Sequence, residues 1–325
     1  MTGMPEVQTK HICTYFDYNF LPRGLALYNS IKKFHSDFIL YALAFDNETY
    51  DFLINLNYEN LKPVSFETYN NFFNTNQEKY DDRKQYFFSA TPNFCLYIFE
   101  KYESVDLLLY LDADVYVFNS LDNLYEEVDG ASIAFCSHRF HPVFELLSKN
   151  YGRYNVGVNF FRRSEIGIRC LSEWKKECDE WYPDKPGYAL KFFSDQIFLD
   201  DWPARYQEIK IINNIGVNTA PWNIANYTFS IKNDLYSINQ DPLIIYHFSS
   251  LIKIDSALWN GNTIFFFGSI KGTLLHMYIK YISEIESFKL NNSKISTITH
   301  KNSPLKNIFY FFMRFILNEK IKIGP

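Results

Sequence analysis

The run Asp106-Leu107-Leu108-Leu109-Tyr110-Leu111 restricts the fold of this chain more than any other feature. It is too short for an ordinary helix and almost wholly apolar, which is how a strand buried on both faces reads. A strand covered on both faces belongs to a sheet with helices packed on either side. The run leads directly into Asp112-Ala113-Asp114-Val115-Tyr116, two carboxylates separated by one small residue. Ligands of open α/β sheets bind beyond the carboxyl ends of the strands, so these side chains emerge where a ligand would sit. Two hard oxygen donors suit Mn²⁺ or Mg²⁺, which share carboxylates with phosphate oxygens. By itself Asp-x-Asp is short and common and serves equally as a turn. The buried strand before it is what gives it weight.

Strand and helix patterns alternate on the amino-terminal side of that motif. Residues 11–16 read as a strand, 21–34 as a helix, 38–45 as a second strand, 49–56 as a helix and 62–66 as a third strand. Residues 67–88 are polar and aromatic without a clear period and read as a surface segment. Thr91-Pro92 then reads as the opening of a helix to Tyr102, because an early proline loses no helical hydrogen bond. This order predicts a doubly wound, mostly parallel sheet. Residues 131–250 are more strand-like and irregular, with one clear helix over 165–181. The expected division is a catalytic domain over 1–268 and a helical, basic and aromatic appendage over 269–325.

Charge and cysteine usage exclude several classes. A net charge of −5 gives no broad basic footprint for nucleic acid. The five cysteines form no C-x-x-C pair and no zinc-finger spacing, a pattern that fits reduced thiols in the cytoplasm. The segment MTGMPEVQTK carries no apolar signal region, and no apolar run approaches the ~20 residues of a membrane span. Aromatic residues make up 19% of the chain; such rings fill cores and also stack on sugars or bases.

The motif has company. Tyr154-Asn155-Val156-Gly157-Val158-Asn159-Phe160-Phe161, Ser194-Asp195-Gln196 and His247-Phe248-Ser249-Ser250-Leu251-Ile252-Lys253 follow it in order. Together these segments resemble the GT-A glycosyltransferases, and in particular glycosyltransferase family 8. A wider resemblance over residues 10–250 is to bacterial nucleotide-diphospho-sugar transferases related to that family. It is carried by CTYFDYNFLPRGLALYNSI, YLDADVYVF, SHRF, YNVGVNFF, DQIFLDDWP, GVNTAPWN and LIIYHFSS.

The resemblance implies a GT-A fold, Rossmann-like with a mostly parallel sheet, and transfer of a sugar from a nucleoside diphosphate, with a UDP-sugar as the expected donor. It implies a metal, Mn²⁺ or Mg²⁺, held by Asp112, Asp114 and His247. It places Asn155 beside the donor sugar, Lys253 on the diphosphate, and Thr14, Tyr15 and Asp17 at the nucleotide. Tyr15 would stack on the base and Asp17 would accept hydrogen bonds from base or ribose; Asp17 also reads simply as a turn residue before Asn19. Asp195 and Gln196 would flank the reacting carbon. A retaining enzyme would present Gln196 to that carbon; an inverting one would need a carboxylate such as Asp195 as general base. Asn159, Trp222 and Asn223 suit contacts to a sugar acceptor, and the Trp222 loop reads equally as a buried corner.

The sequence departs from family 8 in three places. Ser250 stands where the family has glycine, Ile254-Asp255 replaces a Pro-Trp pair, and no arginine lies between Asn93 and Tyr102, leaving Arg83 or Lys84 as substitutes. Residues 301–325 combine Lys301, Lys306, Arg314, Lys320 and Lys322 with the run NIFYFFMRFIL, which suits either an interfacial helix on anionic lipid or a docked helix. The first option brings a cytoplasmic enzyme to a glycan or lipid-linked glycan acceptor at the inner membrane face. Two other readings remain. One is a sugar-binding protein that keeps only the fold; the other is a sugar-nucleotide pyrophosphorylase, which would carry a glycine-rich basic loop where this chain has YFDYNFLPRG.

Overall fold

The computed structural model describes residues 9–73, 83–180, 195–288 and 318–323. The chain begins with β1 (Lys10–Phe16), α1 (Leu21–Lys32), β2 (Phe38–Ala44), α2 (Asn47–Leu56) and β3 (Leu61–Ser65). The turns between them follow side-chain chemistry. Asp17 Oδ1 accepts from the N–H groups of Asn19 and Phe20 ahead of α1, and Asp46 caps α2 by accepting from Thr49 N–H at 2.7 Å. Asn57 ends α2 in the left-handed conformation, φ 48°, that asparagine tolerates well.

Two helices then replace the expected surface segment: α3 (Phe66–Phe73) and α4 (Arg83–Lys101). Their aromatic residues face one another, with Tyr69 against Phe66, Phe73 and Phe94. Rings distributed around both helices hide the period that a one-sided apolar face would show. Helix α4 therefore starts before Thr91-Pro92 rather than there, and Pro92 lies inside it. Proline removes the N–H that would bond the carbonyl of Phe88. Nearby, Tyr15 Oη donates to the carbonyl of Phe87 at 3.1 Å.

β4 (Leu107–Leu111) and the short β5 (Val115–Val117) bracket the Asp-x-Asp motif. After α5 (Asp122–Glu127) and β6 (Ile133–Ser137) come the one-turn α6 (Ser148–Tyr151), β7 (Tyr154–Arg162), α7 (Glu165–Glu180), α8 (Trp202–Arg205) and β8 (Ile209–Ile212). The main sheet has seven strands in the order β3-β2-β1-β4-β7-β6-β8. It is parallel from β3 to β4 and between β6 and β8, whereas β7 runs antiparallel to both neighbours. Alternate residues of β4 enter different cores. Leu109 and Leu111 join Ile12, Leu40 and Val158, while Leu108 and Tyr110 join Cys13, Tyr41 and Phe161. Burial of both faces is the reason the strand is apolar throughout.

A third core lies beyond the sheet edge. The chain here forms β9 (Phe229–Lys232), β10 (Leu235–Ile238), β11 (Asp241–Pro242), β12 (Ile245–His247), β13 (Ile252–Lys253), β14 (Leu258–Asn260), α9 (Gly272–Ser287) and β15 (Lys320–Lys322), and all of these but β11 and β13 supply side chains to that core. Met277, Tyr278, Tyr281 and Ile282 of α9 pack here with Tyr116, Tyr246 and Phe248. The stretch after Gly268 thus contributes both a helix and a strand to this core, and Ile321 of β15 is fully buried in it. The expected interfacial run at 307–317 lies outside the described residues. Among the described residues, no helix is long and apolar enough to cross a membrane, and all five cysteines are buried thiols.

Candidate active site

At Asp112 the chain leaves the main sheet. The Asp112 N–H still bonds Gly157 O at 3.1 Å on β7, but three residues later β5 pairs antiparallel with β12. The register is Val117 with Ile245, Tyr116 with Tyr246, and Val115 with His247. Phe248 N–H extends it by donating to Asp114 O at 2.9 Å. This pairing carries residue 247 onto the Asp-x-Asp turn. His247 Nε2 lies 2.9 Å from Asp114 Oδ1 and 3.6 Å from Asp112 Oδ2. One ligand atom from each of the three residues falls within a group no more than 4.8 Å across. Two carboxylates and one imidazole, gathered at the carboxyl end of a buried strand, form a group that could hold a divalent cation.

The three side chains are held in place by their neighbours. Tyr110 Oη donates to Asp112 Oδ1 at 2.8 Å, leaving Oδ2 on the side of His247. The His247 ring meets the edge of Trp222 at 5.3 Å, with the rings 81° apart. On another side it lies against Gly157, where a Cβ would stand 2.7 Å from His247 Nδ1 and 2.8 Å from Asn155 Oδ1. Only glycine fits there. Gly157 sits in a bulge of β7: pairing with β6 jumps from Phe135–Asn159 to Cys136–Asn155, leaving 156–158 unmatched on that side. Bulges of this kind commonly re-aim side chains beside a site.

The charges of this cluster are mutually dependent. Burial opposes ionisation of Asp114, but His247, its hydrogen bond and Arg23 together hold the carboxyl below its ordinary range. Burial dominates at Asp112 and holds its carboxyl above that range, against the pull of His247. Burial would also lower His247, yet Asp114 and then Asp112 raise it above 6.5. The two carboxylates thus favour the charged imidazole, and His247 in turn favours the charged carboxylates.

Asn155 and Gln196, foreseen from sequence, come together behind this cluster. Asn155 Oδ1 accepts from Gly157 N–H at 2.9 Å, and its Nδ2 donates to Gln196 Oε1 at 3.1 Å. Asp195 opens the 3₁₀ turn Asp195–Asp201, and its side chain lies outside the described residues. Trp222 stands between two histidines, against His138 on one side and His247 on the other. Asn223 is fully buried and spans the loop: Nδ2 donates to His138 O at 2.9 Å and Oδ1 accepts from Ala220 N–H at 2.9 Å. Asn159 is equally buried and donates to Val156 O at 2.7 Å. Both amides thus donate to backbone carbonyls, while Asn159 Oδ1 has no hydrogen-bond partner among the described residues.

At the end of β1, Thr14 is fully buried, with no hydrogen-bond partner for its Oγ1 among the described residues. The ring of Tyr15 packs against Phe45 and Tyr110, and its hydroxyl reaches Thr91 Oγ1 at 3.0 Å. Lys253 pairs with Glu286 of α9 at 2.6 Å and lies over Trp259. Ser250, the residue in the glycine place, adopts φ 60°, which explains why glycine suits that position. The side chains of Arg83 and Lys84 lie outside the described residues.

Sequence reasoning missed Arg23 and the contact made by Tyr110. Arg23 Nη2 donates to Leu251 O at 2.9 Å, tying α1 to the segment after β12. The available signal was a cation in the first turn of a helix with no acid there, which opposes the helix dipole.

The comparisons agree with this architecture. The fold is the GT-A fold of nucleotide-sugar glycosyltransferases. The chain resembles the galactosyltransferase LgtC, solved with donor and acceptor sugar analogues, at a TM-score of 0.52 and 16% identity over 87% of this chain and 97% of that one. It resembles the bifunctional glycosyltransferase WbbM at a TM-score of 0.51 and 15% identity, over 95% of this chain and 52% of that one. By sequence it is 24% identical over 254 residues to protein YfnD of Bacillus subtilis (strain 168), spanning 78% of this chain and 82% of the relative. It is 27% identical over 248 residues to protein YfnF of the same organism, spanning 74% and 81%. Both relatives are described as uncharacterized. No family model matches the chain.

Proposed function

We propose that this protein transfers a sugar from a nucleoside diphosphate, with UDP as the preferred carrier, to a hydroxyl of a glycan or glycolipid, with retention at the sugar carbon. The observation that carries the reading is the β5–β12 pairing, which sets His247 against both aspartates of the strand-end motif. Asp112, Asp114 and His247 would hold Mn²⁺ or Mg²⁺. The bound cation would supply charge stabilisation for the departing diphosphate without a proton transfer. The protein's own part is positional. Tyr110 orients Asp112, Trp222 and Gly157 fix the His247 ring, and Arg23 adds positive charge beside Asp114. Lys253 would have to leave Glu286 to reach a phosphate, so its diphosphate role requires exchange of one carboxylate for another anion.

A panel of UDP-, GDP- and CMP-sugars with Mn²⁺, scored by donor hydrolysis, tests this. Hydrolysis that persists in chelator removes the metal role, and absence of both hydrolysis and nucleotide binding removes the enzyme reading.

The proton on His247 competes with the cation. Because the two aspartates raise this imidazole above 6.5, Mn²⁺ affinity is expected to fall as pH drops through the raised value, by about tenfold per unit for one displaced proton. Linkage gives the opposite sign for the metal-free fold. The stabilisation from charged His247 is fully present below the unfolded value of 6.5 and is lost as pH rises through the higher folded one. Mn²⁺ titrations between pH 6 and 8.5 should show the first trend, and melting of chelated protein over the same range should show the second for this group. A pH-independent Mn²⁺ affinity would mean that His247 is no ligand.

The membrane role of 301–325 is also part of this proposal. Deleting everything beyond residue 300 would remove β15 and its fully buried Ile321, so truncation confounds stability with binding. Replacing Lys301, Lys306 and Arg314 by glutamine is the cleaner change. Affinity for anionic liposomes, read by flotation, is expected to weaken by about a hundredfold, as each of the three basic residues near such a surface contributes ~1 kcal/mol. Equal flotation of both proteins would eliminate membrane attachment by charge.

A further inference from the structure

The positive charge at the metal cluster falls short of what a diphosphate needs. A divalent cation held by Asp112, Asp114 and a neutral His247 makes a site with no net charge, whereas a departing nucleoside diphosphate carries several negative charges. Further cations have to face that group, and two nearby ones are already engaged. Lys253 is paired with Glu286 at 2.6 Å. Arg139 donates to the backbone carbonyls of Asn214, Ile215 and Val217.

Arg23 is placed differently. Its Nη2 donates to Leu251 O at 2.9 Å, and among the described residues the guanidinium makes no ion pair and no other hydrogen bond. Its charge nevertheless reaches the cluster. It helps to hold the Asp114 carboxyl low, and it acts together with Asp114 on the hydroxyl of Tyr281. Tyr281 Oη is itself buried with no hydrogen-bond partner among the described residues. The guanidinium is thus close to Asp114 but not paired with it, and most of its N–H donors stay open to an anion drawn to the same cation.

The local fold holds this side chain ready. The first turn of α1 carries Pro22 and lies flush on the end of β1, where a Cβ on Gly24 would strike the ring of Phe16. The ring of Phe20 lies beneath the guanidinium, its centre 4.6 Å from Cζ. Stacking on a ring face leaves the in-plane N–H groups free, and they form a planar fork that fits two oxygens of one phosphate. A cation in the first turn works against the helix dipole, and no acidic residue of that turn offsets it. An anion bound to Arg23 would.

We propose that Arg23 is a phosphate-binding residue, whose open N–H donors take oxygens of the diphosphate that the metal cluster holds. This rests on the sugar-transfer reading above and adds to it a contact from α1. Asp112 and Asp114 cancel the charge of the cation; Arg23 supplies charge that the diphosphate still lacks.

Calorimetry on the full-length protein at pH 7 tests this with three probes: Mn²⁺ alone, Mn²⁺ with inorganic pyrophosphate, and Mn²⁺ with UDP. Arg23→Met removes every donor and should weaken pyrophosphate and UDP in parallel, by about thirtyfold, as loss of hydrogen bonds to a charged group does. It should bind Mn²⁺ alone at least as tightly as the parent, because a positive charge beside Asp114 has gone. A residue that only tied α1 to Leu251 would not produce these opposite signs. Arg23→Gln, which keeps an amide donor for Leu251 O, should behave alike and serves if the Met variant does not fold. Arg23→Lys restores the charge and should recover at least about threefold of the lost affinity. Unchanged pyrophosphate affinity, a loss confined to UDP, weaker binding of Mn²⁺ alone, or no recovery by lysine overturns the proposal. Failure of the underlying reading shows differently. A parent protein that binds pyrophosphate but not UDP overturns the nucleotide reading and leaves Arg23 to be judged on pyrophosphate, whereas a parent that binds neither overturns both.

Discussion

Asp114→Asn is expected to lower metal-dependent donor turnover at least about a thousandfold, equivalent to ~4 kcal/mol of transition-state stabilisation. The size follows from what the carboxylate does here. Asp114 is the nearer of the two carboxylates to the His247 ring, at 2.9 Å, and its ionisation is sustained by His247 and Arg23 against burial. Asparagine keeps the shape but removes the charge that attracts a cation. It also removes the larger of the two carboxylate pulls on His247, leaving burial, which lowers this imidazole, less strongly opposed. Two measurements check this together. Calorimetry should show loss of Mn²⁺ binding, and hydrolysis of the preferred UDP-sugar at saturating Mn²⁺ should fall to the chelated background. Activity within tenfold of the parent would exclude Asp114 as a ligand.

Gly157→Ala should impair the site through geometry alone, with no charge altered. The new methyl would stand 2.7 Å from His247 Nδ1 and 2.8 Å from both Asn155 Oδ1 and His247 Cε1. Such separations are well inside van der Waals contact, so either the bulge in β7 or the imidazole must move. His247 has little freedom to move, with Trp222 on another side and its backbone N–H bonded to Thr219 O at 2.8 Å. Overpacking of this kind costs about 1–3 kcal/mol of stability. Displacing a ligand is expected to weaken metal binding by about 10–100-fold, as loss of a supporting contact does at other metal centres. Thermal melting and Mn²⁺ titration would read the two effects separately. A variant with unchanged melting and unchanged Mn²⁺ affinity would show that the close approach is not rigid.

Both substitutions act on a cluster that was legible in part from sequence. Asp112 and Asp114 stand out because a strand buried on both faces has to be apolar, and the abrupt change to carboxylates marks its exposed end. Short motifs in chain order also singled out Asn155 and Gln196, and the structure brings their side chains together at 3.1 Å. The side-chain roles of Asn159 and Asn223 were not legible. Both look like polar contacts for a sugar, and each is fully buried with its amide nitrogen donating to a backbone carbonyl. A buried amide and a ligand-facing amide have the same sequence appearance, because the difference lies in what surrounds them. Helix α3 and the first half of α4 were missed for a related reason: aromatic residues packed on several sides leave no single apolar stripe.

The sequence by itself determined the apolar strand, the carboxylates at its end and the α/β class, since those depend on local pattern and the need to cover two faces. Only the tertiary structure decided the rest of the centre. His247 lies far along the chain from Asp114, and nothing local brings them together; the antiparallel register of β5 with β12 does so. The same holds for Gly157, whose missing side chain has meaning only because the His247 ring occupies that space. Register and close approach are properties of long-range packing, so they become visible only once the chain has closed on itself.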